Sequence, residues 1–215
     1  MSSAFYPSEP QWLSWAKELQ ALSQSGLAYT QNVFERERYE RIREISAEIL
    51  TAYSAGEISL AKVKDLFCNE DGYQTPKLDT RAVIFDQTRE KLLFVKENDG
   101  LWSFPGGWVD ADETVASNTV KEAREESGLE VQPTRLLAVL IRDNRTGRTW
   151  VHNIVKIFVE CTPLGGRFVP NSETLDARYF AEDELPEICT AKQTPEQISL
   201  CFRAVKDPNW QAVFC

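Results

Sequence analysis

Residues 106–129 read GGWVDADETVASNTVKEAREESGL. Three glutamates, Glu122, Glu125 and Glu126, fall within a stretch, 114–127, whose pattern predicts a helix stopped by Gly128. At about 100° per residue, with Glu122 as origin, Glu125 lies near ~300° and Glu126 near ~40°, so all three share an arc of about 100°. Ala116, Val120, Ala123 and Ser127 fall at roughly 100° to 160°, a small or apolar face suited to packing on a sheet. Each like-charge helical pair costs a few tenths of a kcal/mol, and more where burial is added. A divalent cation removes that repulsion. Clustered carboxylate oxygens are hard ligands, suited to Mg²⁺ or Mn²⁺, whereas Zn²⁺ or Cu²⁺ favours His or Cys. A solvated acidic helix face would use the same residues, so the glutamates alone leave both readings open.

The rest of the chain narrows the choice. It has 215 residues, of which 42% are apolar, enough for one ordinary domain plus a small one. Lys and Arg number 24 against 33 Asp and Glu, a net charge of −9. Such a field repels polyanions, so a phosphate-bearing partner needs a local cationic device, and nucleic acid is a disfavoured partner. With one histidine, His152, in an apolar run that reads as strand, no multi-histidine zinc site can be built. The cysteines, Cys68, Cys161, Cys189, Cys201 and Cys215, are scattered and include no C-x-x-C. The first residues lack a basic start and an apolar run, and no stretch reaches the length of a membrane helix. A cytoplasmic protein with free thiols and no membrane association is expected.

Upstream, apolar residues at spacings of three and four predict a helix over 10–27, with Gly26 as its stop. A second, highly charged helix is predicted over 32–53, ended by Gly56, and a short third over 59–67. This segment buries little by itself and needs a partner surface, either the second domain or another copy of the chain. Gly72 and Pro76 in the polar stretch 69–76 mark a boundary, giving a helical module, 1–70, and a second domain, 71–215. Strands are expected at 81–86 and 91–96, linked as a hairpin through 87–90. Others are expected at 136–142 and 150–160, joined through 144–147, and at 176–180, before a closing helix at 195–206. The irregular alternation points to a mixed sheet with helices packed on it, an α/β class.

The spacing of the acidic stretch is more specific than its composition. Gly107, five residues, Glu113, seven residues, then Lys121-Glu122-Ala123-Arg124-Glu125-Glu126-Ser127-Gly128-Leu129 resembles the signature of the Nudix hydrolases, G-x5-E-x7-R-E-U-x-E-E-x-G-U, with U bulky and apolar. Every glycine and glutamate is in place. Lys121 stands where the family has arginine, and Ala123 is small. The resemblance implies an α/β/α sandwich around a mixed sheet and a Mg²⁺-dependent hydrolase, with Mn²⁺ as substitute, acting on nucleoside diphosphates linked to another group X. By position, Glu122, Glu125 and Glu126 are the expected metal ligands, with the backbone carbonyl of Gly106. Lys121 would hold one carboxylate, without the two-pronged donor of arginine. Glu173, six residues before the aromatic Tyr179, matches a later-loop glutamate that binds metal or acts as general base in many relatives. Glu122 and Glu126 are the other candidates for the base.

The group X is less constrained. Trp102, Phe104 and Trp108 are candidates for stacking on a base. Arg81, Arg142, Arg145 and Arg148 are candidates for contacts to phosphate or ribose. The stretch WLSWAKELQALSQSGLAYTQNVFERERYERIREIS, residues 12–46, resembles the helical module of a bacterial Nudix subgroup that acts on X-linked nucleoside diphosphates and includes the CDP-choline pyrophosphatases. That resemblance implies a homodimer formed through the module and favours a CDP-choline-like substrate. ADP-ribose or a sugar nucleotide is the alternative. The proline that often follows the signature by about sixteen residues in ADP-ribose pyrophosphatases is Arg145 here. RNA ends are less favoured by the acidic balance. A non-catalytic nucleotide sensor on the same fold is the alternative of another class, and the retained glutamates argue against it.

Overall fold

The computed structural model describes residues 10–54, 63, 72–142 and 153–214. These fall into two compact units. One holds the described residues up to Pro76 together with Asn153, and the other runs from Lys77 onward.

The first unit contains α1 (Gln11–Tyr29) and α2 (Val33–Tyr53). Asn32 caps α2, its side-chain oxygen accepting the backbone N–H of Phe34 and Glu35 at 2.9 and 3.4 Å. The two helices meet through small residues. Ser46 Oγ donates to Ala16 O at 2.7 Å, and Ser23 Oγ donates to Tyr39 O at 2.5 Å. Gly26 is not the stop that the sequence pattern predicts. It lies inside α1, and the Tyr39 ring rests where a β-carbon would be, so the glycine serves close helix approach. Leu13, Ala16, Ala47, Leu50 and Val63 form the small core. Val63 is helical, and the remainder of the expected third helix lies outside the described residues, as does Gly56.

The second unit is an α/β/α sandwich. Its strands are β1 (Lys77–Ile84), β2 (Leu92–Glu97), β3 (Trp102–Ser103), β4 (Leu129–Ile141), β5 (Ile154–Gly166), β6 (Thr174–Phe180) and β7 (Val213–Phe214). Helices α3 (Val115–Ser127) and α4 (Pro195–Lys206) complete it. One sheet has the order β1-β5-β4-β7. There β1 is parallel to β5, β5 antiparallel to β4, and β4 parallel to β7. The other, β3-β2-β6, is antiparallel. Alternate residues of β1 and β5 feed different cores, as expected for a sheet covered on both faces. Ala82, Ile84, Ile157 and Val159 meet Ala123 of α3. Val83, Phe85 and Phe158 join Phe94, Phe104, Ile198 and Phe202, the last two from α4. Thr194 and Gln197 form a capping box at the start of α4, with Pro195 at its first turn.

The expected hairpin of β1 and β2 is not formed as a ladder. The two strands belong to different sheets, joined only by the bridge between Phe85 and Leu92. The reason is that both edges of β1 are taken. One pairs with β5. Along the other runs the glycine-bearing loop, with Thr80 N–H donating to Gly107 O (2.9 Å), Ala82 N–H to Pro105 O (2.8 Å) and Val109 N–H to Leu78 O (3.0 Å). Strand β4 begins seven residues earlier than the expected strand. It absorbs Pro133 at a register shift, where the missing N–H costs no ladder bond. The link expected at 144–147 lies outside the described residues.

Glu160 on β5 gathers Arg89 (2.9 Å) and Arg135 (2.7 Å), and those guanidiniums also donate to the terminal carbonyls Val205 and Ala204 of α4. Glu160→Ala strips a buried acceptor from two partly exposed cations, at a cost of about 2 kcal/mol. Thermal denaturation should show a fall in Tm of roughly 4–8 °C. An unchanged Tm would show that the arginines hold α4 without the carboxylate.

Cys161, Cys189 and Cys201 are buried free thiols, and burial pushes Cys161 up to about 12. Cys68 and Cys215 lie outside the described residues. Among the described residues no helix is long and apolar enough to cross a membrane.

Candidate active site

Helix α3 carries the acidic ridge. Thr114 caps it through a capping box with Ser117, and Gly128, at φ 68°, closes it in the left-handed conformation. Its buried residues are Asn118, Thr119, Ala123, Glu126 and Ser127. Ala116, expected on the packed face, is exposed in the first turn. Glu126 thus belongs to the packed face itself, Glu122 is half-buried, and Glu125 faces solvent.

Glu126 Oε2 accepts the backbone N–H of Gly106 at 2.8 Å. Gly106 has φ 146°, and a β-carbon there would collide with the carbonyl oxygen of Thr80. Only glycine lets the loop lie against β1 and aim this N–H at the carboxylate. Burial pushes Glu126 up to about 7, against the pull of Gly106 N–H, Lys192 and Arg81. Glu122 is raised too, first by burial, and the Lys121 ammonium opposes this. Lys121 Nζ lies 2.5 Å from Asp110 Oδ2 and 3.7 Å from Glu122 Oε1. Its hydrogen bond therefore goes to Asp110, and Glu122 is held by charge alone.

The loop after β5 is tied to the same helix end. Asn171 Nδ2 donates to Glu125 O and Thr174 Oγ1 to Glu126 O, each at 2.8 Å. Glu173, exposed between them, is near enough to raise the proton affinity of Glu122. Gly106 and Glu126 are bonded to each other, and Lys121, Glu125, Glu126 and Glu173 all lie near enough to act on the charge of Glu122.

The candidates for X are divided. Phe104 is fully buried and stacks on Phe94 at 4.6 Å. Trp102 is buried against the edge of Phe180 at 5.0 Å. Both are core residues, because β3 and the loop after it are drawn inward by the second sheet. Trp108 is 48% exposed and is the one of the three with surface open to solvent. Arg81 is interior: its fork grips Asp79 at 2.7 and 2.6 Å, and Nη1 donates to Phe104 O at 3.3 Å. It braces the loop from behind and presents no surface to a substrate. Arg142 is buried at the end of β4. Arg145 and Arg148, with His152, lie outside the described residues.

Sequence reasoning missed Asp79, Asp110, Glu97 and Lys192. Asp79 had a signal, since residues two apart on a strand share a face, so Asp79 and Arg81 form a natural pair. Lys192 and Glu97 had none.

Among the described residues, no three His, Cys, Asp or Glu side chains are gathered closely enough to hold a metal ion as they stand. The donor chemistry nonetheless fits a hard divalent cation. Glu126 is a buried acid with a single backbone N–H as its hydrogen-bond donor, so its charged form calls for added positive charge.

Residues 75–201 match the model of the NUDIX domain, and residues 10–67 match the model described as a UDP-X-like, N-terminal oligomerisation domain. The protein belongs to the Nudix family of hydrolases, enzymes that need divalent metal cations. It is 37% identical over 207 residues to "Putative ADP-ribose pyrophosphatase YjhB" of Bacillus subtilis (strain 168), covering 96% of this chain and 98% of that protein. A crystal structure of an ADP-ribose pyrophosphatase from Streptococcus suis 89-1591 matches at 46% identity and TM-score 0.60, covering 66% of this chain and all of the other. A crystal structure of UDP-X diphosphatase matches at 30% identity and TM-score 0.60, over 94% of this chain and 97% of that one.

Proposed function

We propose that the protein is a metal-dependent pyrophosphohydrolase that splits an X-linked nucleoside diphosphate into a nucleoside monophosphate and phosphorylated X. The observation that carries this reading is a buried glutamate, Glu126, aimed by Gly106 N–H and accompanied by Glu122, whose proton affinity is raised by burial and in turn by the loop carboxylate Glu173. Residues 71–215 form the catalytic domain in this reading, and residues 1–70 the oligomerisation module.

Glu122, Glu125, Glu126 and the Gly106 carbonyl are the ligands for Mg²⁺, with Mn²⁺ as substitute. Once bound, the cations neutralise phosphate charge and lower the pKa of water toward neutrality. The chain does the rest. Gly106 N–H fixes one oxygen of Glu126, and Asn171 and Thr174 hold the Glu173 loop against α3. Lys121, anchored on Asp110, biases Glu122 toward its ionised form. Glu122, Glu126 or Glu173 takes the proton as the water oxygen attacks one phosphorus in line. The bond from that phosphorus to the bridging oxygen breaks, and the second phosphate leaves.

For X, the names of the relatives support ADP-ribose, or a UDP-linked group. The helical module's resemblance supports CDP-choline. Trp108 is the one described aromatic of the three positioned to stack on the base. The test incubates the protein with CDP-choline, ADP-ribose and UDP-sugars, each with Mg²⁺, Mn²⁺ or chelator. Nucleoside monophosphate should appear only with cation. Binding without turnover across the panel would favour the sensor reading.

The module bears a face for self-association. Trp15, Leu22 and Tyr29 are spaced by seven along one side of α1, and all are more than half exposed. Val33 and Phe34 open α2 in the same state. We assign this face to a homodimer contact. Leu22→Glu buries a charge there and should weaken the dimer on the order of 100-fold, giving monomer mass by light scattering at micromolar protein. An unchanged mass would move the contact elsewhere.

A further inference from the structure

Lys192 precedes α4 and belongs to no motif. Its ammonium lies 2.6 Å from Glu97 Oε1, at the end of β2, with both side chains partly exposed. Glu97 Oε1 also accepts Ser103 Oγ at 2.7 Å. In the sheet register Glu97 pairs with Thr174, whose hydroxyl holds Glu126 O. On the other side, Gln193 Oε1 accepts the backbone N–H of Phe104 at 3.0 Å, two residues before Gly106. The ion pair therefore sits between the glycine loop and the Glu173 loop, the two segments that frame the carboxylates.

The backbone of Lys192 is anchored from the interior. Its carbonyl accepts from Lys156 Nζ, which in turn lies 3.6 Å from Asp79. The ammonium pairs with Glu97 while its side chain stays 31% exposed, so a phosphate oxygen can approach it from solvent. Arg81, by contrast, is locked in the interior on Asp79.

We propose that Lys192 is a substrate-binding residue that exchanges its ion pair with Glu97 for a phosphate oxygen of the nucleoside diphosphate. This rests on the hydrolase reading above. It answers the phosphate problem of a chain at net charge −9 with a cation that no sequence pattern marks. Glu97 serves as the resting partner that holds the ammonium when no substrate is bound.

The test measures the Kd of α,β-methylene ADP, a non-hydrolysable probe, with Mg²⁺ by calorimetry. Tm, kcat and KM on the best substrate of the panel are measured on the same proteins. Lys192→Gln should weaken the probe and raise KM by about tenfold, with kcat within about threefold, since one charge-assisted hydrogen bond is lost. Lys192→Arg should restore most of the affinity. Glu97→Gln, which frees the ammonium, should bind the probe at least as well as the wild type. The proposal is overturned if Lys192→Gln binds like the wild type, or if Glu97→Gln weakens binding as much as Lys192→Gln does. Failure of the wild type to bind the probe also overturns it. A wild type that binds the probe and hydrolyses nothing would sink the hydrolase reading alone, with Lys192 still decided by the Kd values.

Discussion

Glu126→Gln should lower turnover by about 10²–10⁴-fold, the range for removing a group that handles the proton or holds the cation. The same change should not unfold the protein. Glutamine keeps an oxygen for the Gly106 N–H, and it removes a charge that folding penalises. The sign follows from the shift. The carboxyl stands at about 7 in the folded chain against 4.5 as its ordinary value. A raised carboxyl costs nothing below the lower value, where both states are protonated. The penalty grows as pH rises through the window between the two and is complete above the higher one, at up to about 3 kcal/mol. With divalent ions chelated, the variant should therefore match or exceed the wild type in Tm at pH 8 and gain nothing at pH 4. Addition of Mg²⁺ should raise the Tm of the wild type and leave the variant nearly unmoved. Turnover within tenfold of wild type would remove Glu126 from the chemistry. A collapsed Tm would make it a structural residue.

Gly106→Ala should be the more damaging change to the fold. The backbone there is at φ 146°, and the added carbon meets Thr80 O in a loop already bonded on both sides to β1. Neither the strand nor the loop can give way without losing the bonds of Thr80 and Ala82. A cost of about 3 kcal/mol or more is expected, a fall in Tm of roughly 6–12 °C. Any protein that still folds should turn over substrate poorly, because the N–H that aims Glu126 has moved. A folded variant of unchanged Tm would show that the loop is looser than its hydrogen bonds imply.

These two residues show how much the chain states locally. The ridge Glu122–Glu126, its capping residues Thr114 and Gly128, and the closing helix behind Pro195 are all written in short-range patterns. Helix periodicity and caps act within a few residues. The bounds of α3 and α4 accordingly follow from the sequence almost to the residue. The pairing of β1 was not legible, because an edge strand takes whichever partner competes best. Here a loop twenty residues downstream displaced β2. Two of the three aromatic candidates failed for a related reason. Phe104 and Trp102 look like stacking residues beside a signature, and only the second sheet turns them inward.

Taken alone, the sequence stated the family: a spaced set of glycines and glutamates along one helix and the loop before it. Such a set is local, and charge and spacing express it directly. The tertiary structure decided which of those groups is buried, which is braced and which cation stands beside them. Burial of Glu126, the inward turn of Arg81 onto Asp79, and the meeting of Lys192 with Glu97 each depend on segments far apart in the chain. Packing chooses such neighbours, and desolvation then sets their charge, so neither is encoded in any window of residues short enough to be read as a motif.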